Sequence, residues 1–116
     1  MNHIVYKNLK NYKYQLVKSY NFQTEIKTDL SLKIGKSEVK VFVNLDPEGL
    51  LKIEAGYAWD GPSGPTIDTK TFIRGSLIHD ALYQLMREEK LDRIKYRENV
   101  DQLLEKNLFR RWNEFF

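Results

Sequence analysis

The stretch Gly56-Tyr57-Ala58-Trp59-Asp60-Gly61-Pro62-Ser63-Gly64-Pro65-Thr66-Ile67-Asp68 divides the chain into two unlike halves. Gly61, Pro62, Gly64 and Pro65 break both helix and strand ladder, so 57–68 reads as a shaped loop. Before it the apolar residues recur with a period of two, and after it with a period near 3.6. The clearest strand is 38–45, which sets Val39, Val41, Val43 and Leu45 on one face. Asp46-Pro47-Glu48-Gly49 follows, with proline presetting the first turn residue and glycine supplying a positive φ. Leu51, Ile53 and Ala55 then form the return strand of a hairpin. Further upstream, Tyr12, Tyr14 and Leu16 alternate in the same way, as do Phe22, Thr24 and Ile26, and Leu30, Leu32 and Ile34.

Downstream of the loop, the spacing predicts a helix over about 69–89, capped by Asp68 or Thr69. Phe72, Ile73, Ser76, Leu77, Asp80, Ala81 and Gln84 fall in rows three and four apart, and so do Phe72, Ser76, His79 and Tyr83. A second helix over about 94–113 buries Val100, Leu103, Leu104, Leu108, Trp112 and Phe115. The expected architecture is one α+β domain over 1–116. It comprises an antiparallel β meander in 1–56, the motif loop 57–68 and two packed helices in 69–116.

Composition bounds the function. With 116 residues, 41% hydrophobic and 30% charged, the chain suits a soluble globule. The absence of cysteine excludes disulfides and thiolate metal sites, and two histidines, His3 and His79, exclude a zinc site built mainly on imidazole. No apolar run reaches the roughly 18–20 residues of a membrane span, and the N-terminus has no signal-peptide core. The expectation is a chain that is intracellular, or assembled inside a cell, with no membrane partner. Residues 1–40 hold eight lysines against Glu25, Asp29 and Glu38. The lysines are scattered through strand-like sequence, so solvated strand faces are expected rather than nucleic-acid binding.

Chemistry-bearing residues gather between Trp59 and Tyr83 and again near Asp101. Asp60 sits where strand-like sequence meets the Gly/Pro loop, and Ser63 lies at the loop tip. His79 and Asp80 are neighbours on the first helix, and Asp101 borders the apolar stripe of the second, in the row Arg97, Asp101, Leu104, Leu108. Asp60, His79, Asp80 and Asp101 are thus placed to converge as catalytic groups. Two chemistries use such a set. In one, His79, Asp80 and Asp101 hold a divalent metal that activates water. In the other, His79 is a metal-free base oriented by a carboxylate and acts on water or on Ser63. Ser63 does not lie in a nucleophile elbow, because Pro65 takes the position where that turn needs glycine. Plainer roles also suit these residues: Asx-type turns for Asp60 and Ser63, a helix ion pair for Arg97 and Asp101, and core packing for Tyr57, Trp59 and Tyr83. Trp59, Ser63, Tyr83 and Arg97 are the candidates for binding.

The strings Asp60-Gly61-Pro62-Ser63-Gly64-Pro65, His79-Asp80-Ala81-Leu82-Tyr83 and Arg97-Glu98-Asn99-Val100-Asp101, in that order, resemble a family common in bacteriophages and prophages, catalogued as domain of unknown function 1353. The likeness covers residues 56–101. It departs from the family pattern at Val100, where a small residue is typical. It implies a phage or prophage origin and brings no settled activity. The His79-Asp80 pair is also similar to part of the His…His-Asp…Asp signature of metal phosphohydrolases. That signature needs an upstream histidine, and only His3 is available.

Three function classes follow. The first is a small hydrolase of a phosphoester, nucleotide signal or cell-wall bond. The second is a binding module that sequesters a host small molecule or blocks a host defence protein. The third is a virion or assembly component, for which Arg110-Arg111-Trp112-Asn113-Glu114-Phe115-Phe116 offers aromatics that suit docking of a partner or a second copy. The expected location is the host cytoplasm or the virion.

Overall fold

A computed structural model describes residues 3–11, 13–37, 40–60 and 70–107. Seven strands precede two helices: β1 (Tyr6–Asn8), β2 (Lys13–Leu16), β3 (Tyr20–Gln23), β4 (Leu32–Gly35), β5 (Val41–Leu45), β6 (Leu50–Ile53), β7 (Ala58–Asp60), α1 (Lys70–Arg87) and α2 (Arg93–Asn107). This is the α+β arrangement expected from the change of hydrophobic period. Val39, Ser63, Leu108, Trp112 and Phe115, named above, lie outside the described residues.

The strands form two antiparallel sheets, β1-β2-β7 and β3-β6-β5-β4. Strands β4, β5 and β6 run as a meander, while β3 pairs with β6 and β2 pairs with β7 across long stretches of chain. Strand β7 lies inside the segment read from sequence as loop. Tyr14 opposite Trp59 and Lys13 opposite Asp60 carry the ladder up to the first loop glycine. The β2 pairing extends back to the chain just before β7, where Leu16 N–H donates to the Tyr57 carbonyl at 2.9 Å and Gly56 N–H donates to the Leu16 carbonyl at 2.8 Å.

Alternation along the larger sheet sends Ile34, Val43, Leu45, Leu51 and Ile53 to one buried face. On that side lie Ile73, Leu77, Ile78, Ala81, Leu82 and Leu85 of α1, with Val100, Leu103 and Leu104 of α2. Just past the end of helix α1, Glu89 adopts φ 58° while Lys90 N–H donates back to the Leu85 carbonyl. Asp92 caps α2, its Oδ1 accepting from Ile94 N–H at 2.9 Å and Lys95 N–H at 3.2 Å. No helix among the described residues is long and apolar enough to cross a membrane.

The β5–β6 turn is built around Asp46, whose Oδ1 accepts from Glu48 N–H and Leu50 N–H, both at 2.9 Å. Gly49 completes it at φ 93° and presses against the buried Thr24, which donates from Oγ1 to the Gly49 carbonyl at 2.6 Å. A Cβ on Gly49 would lie 2.7 Å from the Thr24 carbonyl oxygen and 2.9 Å from that of Ile26. Gly49→Ala therefore combines backbone strain with a backbone clash. It should lower stability by about 1–3 kcal/mol in urea unfolding; an unchanged midpoint would contradict this packing.

Candidate functional site

Three polar residues, Ser76, Asp80 and Gln84, stand four apart on the α1 face turned toward β7. Each accepts a hydrogen bond from the segment 57–60. The Trp59 indole Nε1–H donates to Ser76 Oγ at 2.9 Å, Asp60 N–H donates to Asp80 Oδ2 at 3.0 Å, and the Tyr57 hydroxyl donates to Gln84 Oε1 at 2.8 Å. Ser76 in turn donates to the Ile73 carbonyl at 2.9 Å, and Gln84 Nε2 donates to Glu88 Oε2 at 2.8 Å. Trp59 is buried and Ser76 fully enclosed, so losing the serine hydroxyl would strand a buried indole N–H at a cost of about 1–3 kcal/mol. Tyr14 and Tyr6 back the indole, with ring centroids 5.6 and 6.4 Å from it. Tyr57 and Trp59 thus take the core-packing role.

This polar row positions the candidate dyad. Asp80 uses its second oxygen, Oδ1, on His79 Nδ1 at 3.1 Å, and the two side chains remain 14% and 23% exposed. Consecutive residues on a helix diverge by about 100° and do not ordinarily meet. Here the imidazole is turned toward its neighbour. On the same helix Tyr83 stacks on His79, with ring centroids 4.2 Å apart and planes 29° apart. The Tyr83 hydroxyl donates to Asp101 Oδ1 on α2, and the Arg97 guanidinium is near the same hydroxyl. Described residues from each string therefore connect: Asp60 from the strand end, His79, Asp80 and Tyr83 from α1, and Arg97 and Asp101 from α2.

Two features set these residues apart from one another. Asp60 contributes its backbone N–H, while its carboxylate is 72% exposed and lies 4.0 Å from Lys13 Nζ, a surface pair of little energetic weight. His79, Asp80 and Asp101 do not form one ligand set. The Tyr83 phenol spans from the His79 ring to the Asp101 carboxylate, and both Asp80 oxygens are engaged within the protein. Among the described residues no group of three or more histidine or acidic side chains could hold a metal ion. Ser63, and with it the choice between water and a serine nucleophile, lies outside the described residues. Ser76 and Gln84 were not anticipated as functional. Their signal was present as polar residues spaced by four on an otherwise apolar helix face.

Two open depressions lie away from this network. One of about 680 Å³ opens at the α1–α2 turn beside Met86, Leu91 and Ile94, and one of about 560 Å³ lies along β4 beside Lys33 and Lys90. Neither is lined by a histidine.

No family model matches the chain, nor does any curated protein or solved structure.

Burial pushes the Tyr83 phenol up to about 12, helped by its bond to Asp101 and opposed by Arg97. Burial also raises Tyr57 and Tyr20. An unfolded tyrosine ionises near 10, so the fold favours the protonated phenols. Their contribution to stability is complete below about pH 10 and is lost as pH rises through the higher folded values. Urea midpoints measured from about pH 9 to about pH 11 should fall. They should fall less steeply in Tyr83→Phe, which has no proton to lose; identical slopes would contradict the desolvated phenol.

Proposed function

We propose that the protein is a small phage-encoded hydrolase in which His79 is the general base and Asp80 its orienting carboxylate. The observation that supports it is the 3.1 Å contact between His79 Nδ1 and Asp80 Oδ1, with the same carboxylate anchored through Oδ2 to the Asp60 N–H. A base held by a fixed acceptor is the arrangement that general-base chemistry needs. With Nδ1–H directed at Asp80, Nε2 is the atom that takes the proton. Water gives its proton to Nε2 as its oxygen bonds to the electrophilic phosphorus or carbon, and the imidazolium returns that proton to the leaving oxygen. Asp80 stabilises the transient cation. The substrate class is a phosphoester, nucleotide signal or cell-wall bond, and the place of action is the host cytoplasm or the virion. No step requires a metal ion.

A second reading draws on how fully the acidic groups are engaged. Asp80 accepts from a backbone N–H and pairs with His79, and Asp101 accepts from Tyr83. The same network without turnover would present a fixed polar surface to a host small molecule, or to a host or phage protein, in a binding module or assembly component.

Bis-p-nitrophenyl phosphate and p-nitrophenyl acetate, assayed with EDTA present, separate the two. The hydrolase reading expects turnover of at least one probe that falls about 10²–10⁴-fold in His79→Asn and substantially in Asp80→Asn. Turnover that appears only on adding Mn²⁺ or Zn²⁺ would overturn the metal-independent chemistry. Equal rates in wild type and His79→Asn, or no turnover of either probe, would leave the binding reading.

A further inference from the structure

We propose that Tyr83 and Asp101 form a positioning pair that acts on His79 through ring stacking, so that the packing of α2 on α1 sets the direction of the imidazole. The inference rests on the reading of His79 as the working base, but its geometry is independent of any substrate.

The argument starts from the helix. Side chains one residue apart leave an α-helix about 100° apart, so the His79–Asp80 contact is not the resting preference of two neighbours. Something must hold the ring over. The residue four positions on is the one that helical spacing brings against it, and there Tyr83 presents its face at a centroid distance of 4.2 Å. A tyrosine on a helix surface can itself turn about χ1, so stacking alone would be a loose support. Its hydroxyl is therefore the second requirement, and Asp101 accepts from it across the helix pair.

Asp101 is in turn fixed by what surrounds it. Val100, Leu103 and Leu104, beside it on α2, are buried in the common core. The half-buried carboxylate is thereby held at one height along α1. The chain of support runs from the apolar core through Val100 and Leu104 to Asp101, then through the phenol to the imidazole. Arg97, one turn earlier on α2, adds positive charge near the same hydroxyl and balances Asp101. Groups facing the stack thus come from both helices: Asp80 from α1, and Arg97 and Asp101 from α2. Neither Tyr83 nor Asp101 needs to touch the reacting atoms. Asp101, a candidate catalytic or metal-binding carboxylate from sequence, becomes a positioning residue.

The chain holds two histidines, so the test can be read directly. In ¹H–¹³C spectra of the full-length protein, the His79 ring signals are assigned by their loss in His79→Asn and compared with those of the exposed His3. Stacking on the phenol displaces the His79 ring protons upfield. Tyr83→Leu should abolish that displacement. Asp101→Ala, which frees the phenol, should reduce it, and Asp101→Asn, whose amide oxygen still accepts, should restore it. Tyr83→Phe, which keeps the ring and drops the tether, should shift or broaden the signals and serves where the larger changes unfold the chain. With either probe that is turned over, Asp101→Ala should lower kcat about 10–100-fold with KM little changed. His79 signals that stay at wild-type positions in folded Tyr83→Leu and Asp101→Ala, or in Tyr83→Phe alone, would overturn the positioning role. Absence of turnover in the wild type would sink the hydrolase reading and leave the spectroscopic result standing.

Discussion

Three hydrogen bonds from one four-residue segment to one helix row govern this structure. Tyr57, Trp59 and Asp60 donate to Gln84, Ser76 and Asp80, which stand on one face of α1 at intervals of four. A polar row that runs from the fully buried Ser76 to the half-buried Asp80 and Gln84 is costly at its enclosed end unless each group is matched. The matching donors come from a strand whose own position is fixed by pairing with β2. Strand β7 is an edge strand, and the Asp60 N–H at its end is taken by the Asp80 carboxylate. The same three bonds satisfy the strand, orient the helix and set α1 at one register against the sheet.

From that register the candidate chemistry follows. Fixing Asp80 through one oxygen leaves the other for His79, and fixing α1 against α2 sets Tyr83 opposite Asp101. Residues singled out in separate parts of the sequence therefore form a connected network and not separate surface features. The network also explains why four candidate acids and bases do not act as four equals. Asp60 donates its backbone N–H, Asp80 accepts through one oxygen and meets His79 with the other, and Asp101 accepts from Tyr83. In the proposed reading, His79 is the group whose chemistry the others arrange.

Much of the fold was legible because it rests on local rules. The period-two run through Val43 and Leu45, the Asp46–Gly49 turn and the period-3.6 rows of both helices each encode their element within a few neighbouring residues. Strand β7 was not legible, because the glycines and prolines that follow it outweigh three residues whose pairing partner lies more than forty positions away. The return of β3 to β6 was hidden for the same reason: nothing local encodes a long-range neighbour. In the site, the residue types were legible and their roles were not. That Asp60 would act through its N–H, and that Tyr83 would stand between His79 and Asp101, depends on how α1 is rotated against the sheet and α2. That rotation is set by Ser76, Asp80 and Gln84 together, and a row of three polar residues on an apolar face was the available clue.

Hydrogen exchange at individual amides tests the strand-to-helix bonding most directly. In the wild type, the Asp60 amide and the Trp59 indole N–H should exchange slowly although they sit at the end of an edge strand. In Asp80→Ala, the Asp60 amide should lose that protection, while the Val43 and Ile53 amides in the other sheet keep theirs. An Asp60 amide that exchanges as fast as exposed loop amides in the wild type, or that is unaffected by Asp80→Ala, would contradict the account.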